Sequence, residues 1–262
     1  MSHADSMRKD WDERARKNAF FYIASWKHEW DLASFFQSGE EDYERLVAPV
    51  LHRFGFSTQD KSMLEVGCGV GRMTRAFAQR FARVAAFDLS PKMLEQAKQL
   101  TPEIPNVSWI YSNGVDLRPA ANESIDFVFS YLVLQHLPEE SLVQSYVGEM
   151  IRVLRPSGVC LFQFNGSSRP TMNWRGRMAW GLVNMMWDLR ARAAARSIAK
   201  VLGLDPQMAG KSWHGPAVSQ KQIEAAVLAA GGEVLEFPGE GTPMAWCCAR
   251  KAKPTRAPIP HT

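Results

Sequence analysis

Two features of the sequence could bind a nucleotide-like ligand: a glycine loop and an acidic residue that follows it. The loop reads Gly67-Cys68-Gly69-Val70-Gly71, and glycines let a backbone turn tightly and approach a ligand closely. Asp88 comes 17 residues after Gly71, where a carboxylate can accept hydrogen bonds from both hydroxyls of a ribose. Arg72 stands where a dinucleotide-binding fingerprint has its third glycine. This spacing favours ribose binding and disfavours tight packing of a pyrophosphate-binding helix.

A histidine further along the chain has the chemistry of a general base. His136 lies in Leu134-Gln135-His136-Leu137-Pro138, just past an apolar run that predicts a strand. An imidazole with a reference pKa near 6.5 can take a proton near neutral pH. We therefore predict His136 as a catalytic residue; the alternatives are that it holds local backbone or lines the ligand site. His28 and His214 are further candidates.

The elements that must position these residues form a strand–helix alternation in the middle of the chain. Short apolar, β-branched and aromatic runs predict buried strands at 62–66, 83–87, 107–111, 125–130 and 159–164. Helical patterns lie between them at 72–81, 91–100 and 139–154, and a turn at 155–158 precedes the fifth strand. Such alternation predicts a parallel α/β sheet with right-handed crossovers. The glycine loop then follows the first strand, and Asp88 ends the second.

The flanking segments read differently. Helical patterns cover 11–22 and 43–54, with Pro49 predicting a kink or a new turn. A capping-box pattern opens a helix at Ser219, and two antiparallel strands follow at 233–237 and 244–250. We predict five parts: a helical N-terminal cap at 1–58, a core at 59–164, a helical lid insertion at 165–216, the end of the core at 217–250, and a disordered tail at 251–262.

Composition excludes several classes of protein. With 262 residues and 46% hydrophobic residues, the chain is neither disordered nor collagen-like as a whole. The net charge of +4 is too small to indicate a nucleic-acid binder. Four scattered Cys give neither a disulfide framework nor a C-x₂-C zinc pattern, so we predict no metal. We see no signal peptide and no 18-residue apolar span, so we expect a cytoplasmic setting without stable membrane insertion.

Four motifs, in order, resemble those of the class I S-adenosylmethionine (SAM) dependent methyltransferases, in particular the small-molecule group of the ubiquinone and menaquinone methyltransferases. They are Glu65-Val66-Gly67-Cys68-Gly69-Val70-Gly71, Phe87-Asp88-Leu89-Ser90-Pro91-Lys92-Met93-Leu94, Ser124-Ile125-Asp126-Phe127-Val128 and Val153-Leu154-Arg155-Pro156-Ser157-Gly158. The resemblance implies a Rossmann-like, doubly wound, seven-stranded sheet, mostly parallel with an antiparallel last strand, plus a helical cap and lid. It also implies SAM as cofactor. The N-terminal Trp11-Asp12-Glu13-Arg14-Ala15 resembles the family's cap.

The resemblance also implies a role for individual positions. Backbone amides of the three glycines would reach the methionine and ribose region of SAM, Asp88 would hold the ribose, and Leu89 and Met93 would lie against adenine. Asn113 replaces the acidic residue that the family usually has near the adenine amino group. Tyr22 would close over the methionine end or anchor the cap, and Arg72 would help with the carboxylate or lie on a surface. The cofactor-binding residues so implied are Tyr22, Glu65, Gly67, Gly69, Gly71, Arg72, Asp88, Leu89, Met93, Asn113, Gly114, Val115, Ser130 and Tyr131.

The insertion contains the residues that we predict for substrate binding. They are Trp174, Trp180, Trp187, Trp213 and His214. Aromatic and Met side chains line adaptable apolar pockets, and residues 174–203 hold six basic residues against one acid. Three interpretations stay open: a lid over an apolar or aromatic substrate, an amphipathic helix packed on the core, and a helix that touches a membrane surface.

The sequence therefore predicts a methyltransferase for a small apolar or aromatic metabolite, with O-methylation favoured over N- or C-methylation. A nucleic-acid methyltransferase is an alternative, but the Asn/Asp-Pro-Pro-Tyr signature of enzymes that act on exocyclic amines is absent where the chain reads Ser130-Tyr131-Leu132-Val133. An NAD-dependent oxidoreductase and a SAM-binding module without catalysis are two further alternatives. The oligomeric state stays open, with a homodimer as one option.

Overall fold

A computed structural model describes most of the chain. The described residues are 3–166, 178–179, 181–183, 185–186, 189, 191–202, 215–239 and 241–253. Among them, no helix is long and apolar enough to cross a membrane.

One sheet organises the described residues. Its strands are β1 (Ser62–Val66), β2 (Arg83–Asp88), β3 (Val107–Tyr111), β4 (Ile125–Ser130), β5 (Leu154–Phe164), β6 (Gly232–Glu236) and β7 (Ala245–Lys251). Their order is β3-β2-β1-β4-β5-β7-β6. The pairs among β1 to β5 are parallel, whereas β7 runs antiparallel to both of its neighbours. The predicted seven-stranded sheet with an antiparallel last strand is confirmed.

Helices cover the sheet and extend beyond it. They are α1 (His3–Ile23), α2 (Leu32–Asp42), α3 (Ala48–Arg53), α4 (Thr74–Ala78), α5 (Pro91–Leu100), α6 (Glu140–Val153), α7 (Arg192–Val201) and α8 (Gln220–Ala229). A π-helical turn at Tyr43–Val47 precedes α3, and a 3-10 turn covers Leu134–His136. Ser90 caps α5, and Ser219 with Gln222 forms the predicted capping box of α8.

Apolar layers cover both faces of the sheet. Every residue of β1 and β4 is buried, and neighbouring residues of a strand point to opposite faces. Phe127 and Phe129 accordingly pack in one cluster with Met63, while Val128 packs in another with Leu64. This burial on both faces explains why the strands read as continuous apolar runs.

The structure differs from the sequence-based prediction at three places. The strand predicted at 159–164 begins at Leu154, so the predicted turn lies inside β5; there Ser157 has a φ of 67°, and the register with β4 shifts. The helix predicted at 72–81 is shorter in the structure, where α4 covers only Thr74–Ala78. Helix α2 was not predicted as a separate helix, although Asp31 caps it by accepting a 2.8 Å hydrogen bond from the Ser34 amide.

Candidate active site

The glycine loop lies directly against the end of β2. The amides of Gly67 and Cys68 both donate to the Phe87 carbonyl, at 2.7 and 2.9 Å. Gly67 and Gly69 have φ values of 75° and 55°, a region that favours glycine. A Cβ on Gly67 would lie 2.3 Å from Cγ2 of Val133. The loop therefore approaches the segment after β4 more closely than any side chain would allow.

Asp88 joins the loop to the next helix. Its Oδ2 accepts a 2.8 Å hydrogen bond from the Gly69 amide, and its Oδ1 accepts one of 2.8 Å from the Ser90 amide. The side chain is buried, and this burial raises the pKa of Asp88 to about 6. The structure thus brings together the two features that the sequence paired, the glycine loop and its partner acid.

A second buried carboxylate lies beneath the loop. Glu65 in β1 accepts a 2.6 Å hydrogen bond from the Thr74 hydroxyl. Burial raises the pKa of Glu65 to about 7, although the Thr74 hydrogen bond and the charge of Arg72 oppose that rise. Because Asp88 adds a like charge, the site concentrates two carboxylates that a cationic group would stabilise.

Leu89 and Gly114, both implied for the adenine region, lie side by side under α1. A Cβ on Gly114 would lie 3.7 Å from Cδ1 of Leu89 and 3.8 Å from Cε of Met7. Met93 is also buried, but it packs in the cluster that joins α1 and α2 to the loop, with Ala19 among its members. The structure therefore places Leu89 and Gly114 together and places Met93 in the packing of the cap.

The Asn113 side chain organises its own loop. Its amide oxygen accepts from the backbone amides of Val115 and Asp116, at 2.8 and 3.0 Å. Its amide nitrogen donates to Asp116 Oδ1 at 3.0 Å. Both Asn113 and Val115 are exposed, whereas Asp116 is buried. The acidic group of this loop is therefore three residues beyond the position that we matched to it.

Arg72 is a buried residue with its own partner. Its guanidinium donates to Asp42 Oδ2 at 2.7 Å and to the Ser38 carbonyl at 3.1 Å, and so ties α2 to the glycine loop. Its Cζ lies 6.0 Å from the ring centroid of the half-buried Tyr131. A cavity of about 280 Å³ opens beside this pair; its lining includes Trp26, Ser38, Glu41, Asp42, Arg45 and Tyr131.

The end of β4 leads to a strained turn that Gln163 supports. Ser130 is buried and donates from its hydroxyl to the Val66 carbonyl at 3.3 Å. Leu132 has a φ of 59°, uncommon for a residue with a side chain, and its amide donates to Gln163 Oε1 at 3.2 Å. The Gln163 amide nitrogen donates to Gln135 Oε1 at 3.2 Å. Gln163 therefore fixes the turn that contains His136.

This network also sets the orientation of His136. Because Gln135 accepts through Oε1, its amide nitrogen is the atom that faces His136 Nε2, at 3.2 Å. In a neutral imidazole, Nε2 is then the acceptor and Nδ1 carries the proton. His136 is buried, and the Trp11 ring meets it edge-on with centroids 5.6 Å apart. The predicted base thus lies under the cap.

Asp12 joins α1, in the predicted cap, to the start of α5. Asp12 Oδ1 accepts from the Ser90 hydroxyl at 2.6 Å and from the Lys92 amide at 3.2 Å. Tyr22 is buried, and the Arg14 guanidinium lies 5.5 Å from its ring centroid. We did not predict the roles of Asp12 and Gln163 from the sequence. Two sequence features could have indicated these roles: Asp12 is an acid next to Trp11, and Gln163 is a polar amide within an apolar strand.

The base of the insertion, but not its predicted substrate residues, belongs to the described part of the chain. Trp174, Trp180, Trp187, Trp213 and His214 lie outside the described residues. The base of the insertion is described, however, and it meets the turn that contains His136. The Gly215 amide donates to the Gln135 carbonyl at 2.6 Å, and the Asn165 side chain donates to the Gly215 carbonyl at 3.3 Å.

Comparisons with known proteins point to one family. Residues 64–162 match the family described as "Methyltransferase domain". A demethylmenaquinone methyltransferase from Tropheryma whipplei is 34% identical over 108 residues, which cover 40% of this chain and 43% of that protein. A malonyl-[acyl-carrier protein] O-methyltransferase from Serratia marcescens is 33% identical over 120 residues, 45% of this chain and 44% of that protein. The chain thus spans less than half the length of these curated relatives.

Solved structures agree in fold. A magnesium protoporphyrin IX methyltransferase from Synechocystis PCC 6803, solved with S-adenosylhomocysteine, superposes with a TM-score of 0.61. The match covers 95% of this chain and 99% of that one, at 15% identity. The expected cofactor, SAM, agrees with these findings. Residues 64–162 therefore resemble the class I SAM-dependent methyltransferases, in agreement with the resemblance that the four sequence motifs indicated.

Proposed function

We propose that this protein transfers a methyl group from SAM to a small apolar or aromatic molecule. The observation that carries the proposal is the Asp88 carboxylate, buried and bonded to the Gly69 amide within the segment that matches the methyltransferase domain. The division into cap, core and lid belongs to the same proposal. The printed names of the curated relatives, a demethylmenaquinone methyltransferase and a malonyl-[acyl-carrier protein] O-methyltransferase, support a substrate other than nucleic acid.

The residues of the site fit the cofactor. Asp88 would hold the ribose hydroxyls, and the glycine loop would bring its backbone close to the ligand. Leu89 and Gly114 would flank the adenine ring. When bound, SAM supplies an electrophilic methyl group on a sulfonium that leaves readily. The protein's task is then mainly to align the acceptor and exclude water. The cap serves that task because α1 crosses the site and Asp12 joins it to the start of α5.

His136 is our proposal for the group that takes the proton of the acceptor; its Nε2 carries the lone pair, and it would exchange the hydrogen bond from the Gln135 amide for that proton. It lies at the end of β4, beside the base of the insertion and beneath Trp11. An acceptor hydroxyl loses a proton when it is methylated, so a base there supports O-methylation. The printed name of the Serratia marcescens relative, an O-methyltransferase, agrees with this preference.

Calorimetry tests the cofactor. We expect SAM and S-adenosylhomocysteine to bind and NAD not to bind. Asp88→Ala should weaken SAM binding by about tenfold or more, because a charged hydrogen-bond acceptor is removed. Glu29→Ala, at an exposed position, should bind as the wild type does. Binding of NAD alone would contradict the proposal.

Turnover tests the base. With demethylmenaquinone, malonyl thioesters and small phenols as acceptors, release of S-adenosylhomocysteine reports methyl transfer. We expect His136→Ala to lower turnover by about 10² while SAM affinity changes only a few-fold. The matched control is His52→Ala, at an exposed position on α3. Near-normal turnover of His136→Ala would remove this residue from the catalytic role.

A further inference from the structure

A stripe of apolar side chains faces solvent on the insertion. Met178, Leu182, Met185 and Leu189 are 68, 43, 52 and 72% exposed. Their spacing of four, three and four residues places them on one face of a helix. The Leu189 amide donates to the Met185 carbonyl at 3.0 Å, which is the i to i+4 spacing of a helical turn. In total, six of the twelve exposed large apolar residues in the described part of the chain lie between 178 and 202, so this surface is a local feature.

The opposite face of this segment already has a packing partner. Val183 is buried against Ala195 and Ala199 of α7, with Met186 and Ile198 beside them. The described residues of 178–202 therefore form two helical segments that share a small core, and we call this pair the hairpin. Because that core uses the inner face, the stripe is left over for contact with something outside the hairpin.

The charge of the hairpin indicates what that contact is. Residues 178–202 contain four basic residues and one acid, Asp188. Two copies of such a surface would repel each other, which disfavours a second copy as the occupant. An anionic bilayer supplies both the apolar depth that the stripe needs and the opposite charge. The sequence adds Trp180 and Trp187, a residue type that favours the membrane–water interface.

We propose that the hairpin at 178–202 docks this protein on the surface of an anionic lipid bilayer. The stripe enters the interface, and the positive charge of the hairpin attracts the anionic lipid headgroups. The base of the insertion lies against the turn of His136, through the hydrogen bond from Gly215 to Gln135. Because the insertion leaves and rejoins the core beside this turn, docking would hold the candidate active site near the bilayer, where a lipid-soluble acceptor resides. The docking step itself does not depend on the proposed methyl transfer.

Vesicle flotation tests the docking. The probes are vesicles of phosphatidylcholine alone and of phosphatidylcholine mixed with phosphatidylglycerol. We expect the full-length wild type to float with the anionic vesicles, and to do so less as salt rises. The double variant Met185→Gln/Leu189→Gln should bind at least about tenfold more weakly. Leu228→Gln/Met244→Gln is the matched control, because it removes two exposed apolar residues elsewhere, 58 and 42% exposed.

A charge variant completes the test. Lys200→Glu should weaken binding to anionic vesicles by about tenfold, whereas Lys98→Glu, at an exposed position on α5, should not. Every variant should bind SAM as the wild type does, which shows that the fold is intact. No flotation of the wild type, or equal flotation of the stripe and control variants, would overturn the docking proposal. A dimer that the stripe variant abolishes, without vesicle binding, would overturn it too. Failure of the wild type to bind SAM would instead overturn the proposed function.

Discussion

At the scale of single residues, the site contains two buried carboxylates, and both accept hydrogen bonds from neighbouring protein groups. Asp88 accepts from Gly69 and Ser90, and Glu65 accepts from Thr74. Burial raises the pKa of both acids, to about 6 for Asp88 and about 7 for Glu65. The protein thus maintains two acids in an environment that opposes their ionisation. Such an arrangement is typical of a functional site rather than of a stability device.

The raised pKa of Glu65 predicts a pH-dependent stability. The folded state holds the proton up to about pH 7, whereas the unfolded chain releases it near the ordinary Glu pKa of 4.5. The folded protein therefore binds more protons in this window, and the contribution of Glu65 to the free energy of unfolding falls as pH rises from 4.5 to 7. Glu65→Gln removes the ionisation and retains an oxygen for Thr74. We expect it to stabilise the protein at pH 8 by roughly 3 kcal/mol.

Urea unfolding at a series of pH values measures this difference. The gain of Glu65→Gln over the wild type should shrink as pH falls and vanish near the ordinary Glu pKa. Glu29→Gln, at an exposed position, should show no gain at any pH. A gain for Glu65→Gln that is constant across pH would show that ionisation of Glu65 does not limit stability.

At the scale of elements, the strands were predictable and the contacts between elements were not. Runs such as Phe127-Val128-Phe129 are apolar because both faces of the sheet are covered, so β1 to β4 could be identified from local sequence. The start of β5 could not, because Pro156 and Ser157, which carry turn signals, lie in an irregularity between Leu154 and Val159, the residues that pair with β4. The role of Asp12 was hidden for a different reason: its partners Ser90 and Lys92 lie 78 and 80 residues away.

Asp12 should govern how the cap docks. Asp12→Ala removes the acceptor for Ser90 and Lys92 at the start of α5, a loss of about 1 kcal/mol by analogy with helix N-caps. We expect faster amide hydrogen exchange over α1 and weaker SAM binding. The neighbouring Glu13→Ala is the matched control, because Glu13 bonds Lys17 on the exposed side of the same helix. Equal exchange in the two variants would mean that Asp12 does not secure the cap.

Two glycines with similar backbone conformations allow the steric cost of an added Cβ to be measured separately from the cost of backbone strain. Gly67 and Gly231 both have positive φ, 75° and 77°, but a Cβ would clash with Val133 only at Gly67, since nothing lies within 4 Å of that position at Gly231. Gly231→Ala should therefore lose about 1 kcal/mol of stability from the backbone alone. Gly67→Ala should lose a further 1–3 kcal/mol, roughly, from overpacking. Urea unfolding compares them, and equal losses would exclude the steric contribution.

At the scale of the whole molecule, the insertion leaves the core and returns to it at one place. Asn165 follows β5, and both its backbone and its side chain are bonded to the returning chain, at Val218 and Gly215. An excursion whose ends are joined can change in length without stretching the sheet. The sequence predicted the insertion by its broken rhythm. Its junction beside Gln135 and His136 emerges only from the fold, because it depends on three segments that are distant in the chain.

This architecture predicts different effects on SAM binding for two deletions, one in the insertion and one at the N-terminus. Removing 172–204 and joining the ends with a short glycine-serine linker leaves Asn165, Gly215 and the whole sheet in place, so SAM binding by calorimetry should persist. Turnover of acceptors should be lost, because the residues that we propose for substrate binding and the hairpin are gone. Removing 1–23 should instead weaken SAM binding, since it takes away Asp12 and the residues that cover Leu89 and Gly114. If the first deletion also abolished SAM binding, the insertion would be part of the core rather than an addition to it.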